Sequence, residues 1–249
     1  MKKTYLLYIF VLLGILSSNA QGTEVEEKIP FTEPRFRYYL QTLLFFNEYL
    51  DTDNGSFNTT QVRGLVPIGS KAWNLRFDLP IISANTNDTN KTGLGDVGMG
   101  ISYIPFMKNS QGIAVRTRVY ANSASDPAFG SGKWVVMPAF FYGRYFNDKK
   151  YLWISSFEYQ QSFAGSSQRN DISIAVLESV FFHFFGKNWV AGDVALRYNN
   201  TLNGYQNNAY IEYGRRITPT NLVYIHPSVA FGGDKTYNFG IEGGVLILF

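Results

Sequence analysis

Hydrophobic and polar residues alternate with a period of two through most of the chain. The stretch "AWNLRFDLPI" sets Trp73, Leu75, Phe77 and Leu79 on one face and Asn74, Arg76 and Asp78 on the other. "GIAVRTRVY" opposes Val115, Thr117 and Val119 to Arg116 and Arg118. In "WVAGDVALRYN", Val190, Val194, Leu196 and Tyr198 oppose Asp193 and Arg197; in "NAYIEYGRRI", Ala209, Ile211 and Tyr213 oppose Tyr210, Glu212 and Arg216. Successive side chains of a β-strand point to opposite faces, so this pattern predicts strands. Helical periodicity is scarce.

Polar breaks of two kinds take turns between the alternating runs. Long ones, rich in Asn, Asp, Ser and Gly, lie near 51–60, 83–92, 123–132, 165–170, 201–205 and 233–236. Short ones, "IGSK", "KNSQ", "NDKK", "GKN" and "TPTN", fall between them. The breaks delimit twelve predicted strands: 35–48, 59–69, 72–82, 93–106, 112–122, 133–146, 151–164, 171–185, 189–200, 206–217, 222–232 and 237–249. An even strand number, with long loops at one end and short turns at the other, predicts an all-β fold: a twelve-stranded antiparallel transmembrane barrel of the outer-membrane type over residues 35–249. A soluble β-sandwich also alternates. Yet Tyr145, Phe146, Tyr151, Trp153, the run Phe181 to Phe185 (with His183 inside it) and Trp189 all lie beside short turns. Amphipathic rings gather at membrane–water interfaces, and a sandwich has no such level.

The termini fit that reading. Residues 1–20 have the order of a secretory signal: Lys2 and Lys3, an apolar run from Tyr5 to Leu16, then small residues to Ala20. Residues 21–34, acidic and then proline-bearing, form a periplasmic lead-in. Beyond Gln21 no apolar stretch approaches the roughly 18 residues of a spanning helix. The last strand places Tyr237, Phe239, Ile241, Val245, Ile247 and Phe249 on one parity, and Asn238, Glu242 and Gly244 on the other. The odd face is expected to meet lipid and Glu242 to point into the lumen. A barrel strand ending in phenylalanine resembles the signal read by the barrel-assembly machinery, which makes Phe249 the expected assembly signal.

Composition narrows the function classes. The chain has no cysteine, so an exported protein of this size carries no disulfide framework. Once Lys2 and Lys3 are removed with the leader, 20 of the 22 basic residues remain against 19 acidic ones. That balance gives no reason to expect nucleic acid as a partner. The 21 Phe, 17 Tyr and 4 Trp are scattered at segment ends, as an export barrel requires. The expected setting is a monomer in outer-membrane lipid, handling a small-molecule solute.

"TGLGDVGMGISYIPF" (92–106), "LVPIGSKAWNLRFDLPII" (65–82) and "FGSGKWVVMPAF" (129–140) together resemble the outer-membrane transporter family of the phenol-degradation MetA pathway. One departure is "ANSASDP" after the fifth strand, where that family commonly has Pro-Thr-Gly. The resemblance implies a barrel that takes up small, often aromatic or hydrophobic solutes. Independently, glycines 93, 95, 98 and 100 let the fourth strand bend and approach its neighbours. Asp96 is then expected on the lumen wall, as a structural charge or a solute contact.

Catalytic chemistry is sparse. His226-x-Ser228 echoes the His-x-Ser of outer-membrane phospholipases and lipid A deacylases, but alternation turns both residues toward the lumen, and the asparagine-rich context is missing. His183 falls at an interfacial position. Glu178 has the opposite parity in the same strand, beside apolar Ile172, Ile174 and Val176, so the facing of both is open. No metal-ligand spacing, phosphate loop or other cofactor motif is present. The informative constellation is the lumen. Parity places Arg63, Arg76, Arg116, Arg118, Arg144, Arg197 and Arg216 inside, with Asp78, Asp96, Glu158, Asp193, Glu212 and Glu242. An arginine on lipid at mid-bilayer costs about 2–4 kcal/mol, which favours the inward assignment. Such groups form a salt-bridged filling, a charged eyelet for a polar or anionic solute, or both at different heights. The rival functions on the same barrel are a lipid-modifying esterase and a non-transporting structural or adhesion protein.

Overall fold

The computed structural model describes residues 41–69, 72–108 and 110–249. The leader, the lead-in and the first residues assigned to strand one lie outside them. Twelve strands run in chain order: β1 Thr42–Thr52, β2 Gly55–Pro67, β3 Trp73–Thr86, β4 in two pieces (Asn90–Leu94 and Gly98–Lys108), β5 Gln111–Tyr120, β6 Lys133–Phe146, β7 Tyr151–Gly165, β8 Ser173–Phe185, β9 Asn188–Asn199, β10 in two pieces (Gly204–Tyr205 and Asn207–Arg216), β11 Asn221–Phe231 and β12 Phe239–Leu248. Each pairs antiparallel with the next, and β12 returns to β1 in the register Leu44↔Leu246 and Glu48↔Glu242. The sheet is closed, so no edge strand is left with unpaired backbone groups, as a bilayer demands.

Alternation sets the two faces. Met99, Phe157, Leu177, Ile211, Val229 and Phe239 stand on the outer surface at 51–65% exposure, while their sequence neighbours turn inward. Aromatic pairs gird this surface at both levels. Trp73–Tyr103 and Tyr151–His183 stack near the short turns (centroids 4.4 and 4.8 Å apart), and Trp134–Phe163 lies toward the loops. This is the outer-membrane barrel's apolar band between aromatic rings.

Several boundaries differ from the sequence pattern. The first two long breaks are mostly strand: β1 and β2 are separated only by Asp53 and Asn54, and β3 and β4 only by residues 87–89. Their Asn, Ser and Thr residues keep pairing, for example Thr60 with Asn47 and Ile81. Polar composition marked a solvated stretch of hairpin there, not a loop. The real loops are 121–132, 166–172, 200–203 and 232–238.

The interior differs more. At the short-turn end it is lined by an apolar cluster that includes Leu44, Phe141, Tyr145, Leu152, Phe182, Trp189, Leu222 and Leu246. Tyr145, Phe182 and Trp189 therefore point into the barrel, not to the interface. Trp189 lies across Gly214 on β10, where a Cβ would sit 1.8 Å from the indole. The same cluster resolves β8. Its even residues face inward because this half of the lumen is itself apolar, so Glu178 is inside and His183 outside, with no bulge between them.

Candidate functional site

Above the apolar lining, strands β2 to β7 bring a set of arginines together. Asp78 on β3 is the hub. Arg63 Nε donates to its Oδ1 at 2.7 Å and Arg76 Nε to its Oδ2 at 2.6 Å. Gln61 Nε2 and the Tyr120 hydroxyl add bonds at 2.6 and 3.2 Å. On the adjoining wall Glu158 of β7 holds two cations on one oxygen. Arg116 Nη2 reaches Oε2 at 2.9 Å and Arg118 Nη2 at 2.6 Å, while Gln160 Nε2 donates to Oε1 at 3.0 Å. Buried ions require such pairing, since desolvation is otherwise uncompensated. The Arg116 guanidinium also lies 4.6 Å from the Phe141 ring centroid, and that of Arg63 5.1 Å from Phe46.

These groups enclose a cavity of about 230 Å³, lined by Arg63, Arg76, Arg116, Arg118 and Arg197 together with Glu158, Glu178, Gln160 and Phe141. Arg197 arrives from β9 and is oriented by its Nε–H donating to Asn208 Oδ1 at 2.9 Å. Glu178 accepts from the Ser156 hydroxyl at 3.2 Å. With Asp78 counted behind Arg63 and Arg76, five guanidinium groups face three carboxylates. The cavity carries a surplus of positive charge.

Small residues make room for this cluster. A Cβ on Gly98 would meet the Tyr120 ring at 2.7 Å, and one on Gly100 would meet Arg118 at 3.0 Å. The glycines of β4 let the side chains of β5 lie flat across it. Gln61, Tyr120 and Gln160 share parity with Arg63, Arg118 and Glu158 and were legible in principle; a list restricted to formal charges omits them.

A second polar group occupies the wall from β9 to β12. Trp189 Nε1 donates to Glu212 Oε1 at 2.7 Å, His226 Nδ1 lies 3.4 Å from Glu212 Oε2, and the Tyr224 hydroxyl donates to Glu242 Oε1 at 2.6 Å. His226 Nε2 is 3.9 Å from Glu242 and its ring stacks on Tyr210 at 4.4 Å. Asp193 is buried on the inward face of β9. His226 thus belongs to an interior network, Ser228 is buried on the same face of β11, and neither faces lipid.

Three assigned residues lie elsewhere. Arg144 is on the outer face, its guanidinium 5.2 Å from the Phe146 ring centroid. Beyond Lys133 at the loop end, the inward face of β6 is Val135, Ala139, Phe141, Gly143 and Tyr145, so charge does not mark the lumen side beside Arg144. At the membrane edge a long cationic side chain reaches water without crossing lipid. Arg216 ends β10 and is exposed at the short-turn mouth. Asp96 sits in the break of β4 and holds the 121–132 loop: Oδ1 accepts the N–H groups of Ser123 and Ala124 at 3.1 Å each, and Oδ2 those of Ser131, N–H at 2.8 Å and hydroxyl at 3.1 Å. That loop contains a short 3₁₀ turn, Pro127–Phe129, capped by Asp126. Phe129 is buried beside Gly93 and Gly95, close to Pro80 and Ile82 of the inward face of β3. The loop therefore folds into the mouth, and the glycine-rich motif is its seat.

No protein-family model and no curated protein matches the sequence. Solved barrels do match in shape. An outer-membrane channel from Pseudomonas putida F1 is similar with a TM-score of 0.72, covering 84% of this chain and 96% of that one at 10% identity. The KdgM porin is similar with a TM-score of 0.57, covering 84% and 99% at 11% identity, and has also been solved in complex with disordered oligogalacturonate. At these identities the shared property is the fold, an outer-membrane β-barrel.

Proposed function

We propose that the chain is an outer-membrane channel for a small solute that carries a carboxylate or other anionic group on an apolar body. The observation that carries this reading is the cavity of about 230 Å³ in which five arginines face three carboxylates. Arginine forks match carboxylate geometry, and an electropositive constriction concentrates anions. Phe141 within the cavity and the apolar lining beneath it suit a solute whose remainder is hydrophobic or aromatic. The resemblance to the MetA-pathway transporters, and the similarity in shape to a channel and a porin, support the same reading. Loop 121–132, folded into the mouth, narrows the entrance.

The test is ion selectivity in planar bilayers. The wild type should show low single-channel conductance and anion preference in a salt gradient. Arg116→Ala with Arg118→Ala leaves Glu158 without its two cationic partners, so selectivity should swing toward cations and flux of benzoate into liposomes should slow. An unchanged reversal potential in the double variant would mean that these arginines do not line the path.

A further inference from the structure

The short-turn mouth carries a charge pattern that the lumen does not use. Along the arc from β6 to β10 the exposed charges are Arg144, Lys149, Lys150, Lys187, Arg215 and Arg216 against a single carboxylate, Asp148. Three of these cations converge. Lys149 from the β6–β7 turn, Lys187 from the β8–β9 turn and Arg216 from the end of β10 line one cavity of about 220 Å³, walled by Phe184, Trp189 and Leu222. Arg144, Lys150 and Arg215 lie outside it.

The cavity is built from fixed parts. The Phe184 N–H donates to the Lys150 carbonyl and the Arg216 N–H to the Lys187 carbonyl, each at 2.8 Å, so the turns are tied to neighbouring strands. Asn147, Asp148 and Lys149 all adopt positive φ, at 46°, 50° and 66°. Non-glycine residues seldom take that conformation, and three in succession are rarer still. Among the described residues, none of the three cations forms an ion pair. Like charges held together without a counter-charge favour an external anion.

We propose that this mouth is a binding site for a phosphate ester, either a soluble one or a phospholipid headgroup. Cations from three separate segments can each meet a different oxygen of a tetrahedral anion, with Arg216 supplying a fork and the lysines point charges. A carboxylate holds its two oxygens in one plane, whereas a tetrahedral anion presents oxygens toward all three segments at once. Phe184 and Leu222 provide an apolar wall for the ester's carbon part, and the volume admits a phosphate with a small ester group, so acyl chains would stay outside. The site lies at the opposite end of the interior from the loop-covered entrance and does not depend on what the channel passes.

The experiment uses the purified barrel in maltoside detergent. Binding of inorganic phosphate and of glycerol 3-phosphate is followed by phosphorus NMR. In a parallel arm, native mass spectrometry counts phosphatidylglycerol and phosphatidylcholine retained from mixed nanodiscs. Lys149→Gln with Lys187→Gln, and separately Arg216→Gln, should weaken whichever probe binds by about tenfold or more, the equivalent of one strong charged contact. Lys108→Gln, exposed on β4 outside this arc, should change it by less than about twofold. Binding of the soluble phosphates identifies a soluble ligand, and selective retention of phosphatidylglycerol alone identifies a headgroup; either supports the site. The proposal fails if no probe binds, if the cavity variants bind as the wild type does, or if Lys108→Gln costs as much as they do. Heat-modifiable gel migration confirms that each variant is folded.

Discussion

Asp96 and Ser131, 35 positions apart in the chain, are joined twice: the Ser131 N–H and hydroxyl both donate to Asp96 Oδ2, at 2.8 and 3.1 Å. With the N–H groups of Ser123 and Ala124 on the other oxygen, one carboxylate pins both ends of the loop that fills the mouth. Hydrogen bonds to a charged group are worth about 1.5–3 kcal/mol each, less where solvent competes. Asp96→Ala should therefore free the loop while the barrel remains intact. The expected outcome is faster hydrogen exchange at Ser123 to Ser131 and a larger, noisier conductance. Gly93→Val should act similarly, because even a Cβ there would lie 2.4 Å from the Ser125 hydroxyl and 2.7 Å from the Phe129 ring. Unchanged exchange in both variants would refute the pinning role.

Among the described residues Glu158 is the only carboxylate bonded to Arg118, and it shares one oxygen between Arg116 and Arg118. Glu158→Gln should leave the two guanidinium groups of β5 side by side on the cavity wall without the carboxylate they share. Anion preference in a salt gradient should increase, opposite in sign to the effect of removing the arginines. Loss of a partner from a desolvated pair costs about 3–5 kcal/mol, so the melting temperature should also fall. A shift toward cations would contradict the assignment of these groups to the solute path.

The loops carry a pH dependence of predictable sign. The Ala128 N–H, and then the Lys91 ammonium, hold the Asp126 carboxyl below its ordinary value; Lys133 does the same for Asp171. Both groups are depressed in the folded loops, so the stabilisation is complete above the ordinary aspartate value and fades as pH falls through the lower, folded one. Loops 121–132 and 166–172 should become more accessible to exchange as pH falls below about 4, and not between about pH 8 and pH 5. Loosening in the upper window alone would point to other groups.

Phe249 and Leu248 make a contrasting pair at the end of β12. Leu248 is 6% exposed within the apolar lining, and Phe249 is 54% exposed. Phe249→Asp should lower the yield of inserted barrel in cells, as the expected assembly signal is lost, without changing the melting temperature of what does insert. Leu248→Ala should insert normally and melt earlier, the usual cost of truncating a packed leucine being about 2–5 kcal/mol. Equal insertion of both, read from heat-modifiable migration, would remove the signal role.

Orientation can be read from labelling. Cysteines at Asn87, Ser125 and Asn203 should react with an impermeant maleimide on whole cells, and one at Asp148, in a short turn, should not. Reaction at Asp148 alone would invert the assignment of the two ends.

The strand number, the alternation of faces and the placement of most interior charges were legible in the sequence. Each rests on a local rule: where one face of a strand is polar and the other apolar, lipid selects the apolar face, and Arg63, Arg76, Asp78, Arg116, Arg118 and Glu158 follow directly. The rule loses its signal where both faces are apolar. On β6 and β8 the inward residues Tyr145, Val180 and Phe182 are as hydrophobic as the outward ones, so Arg144, Glu178 and His183 could be placed only once closure had fixed the register. Closure also decides what meets inside. Asp78 collects partners from β2, β3 and β5, Glu158 from β5 and β7, and Asp96 from a loop that follows the next strand. Apart from Arg76–Asp78 and Glu158–Gln160, each two residues apart on one strand, none of these pairings has a period along the chain. They arise because a curved sheet brings inward side chains of distant sequence within hydrogen-bond reach, where desolvated charges must find partners or be excluded.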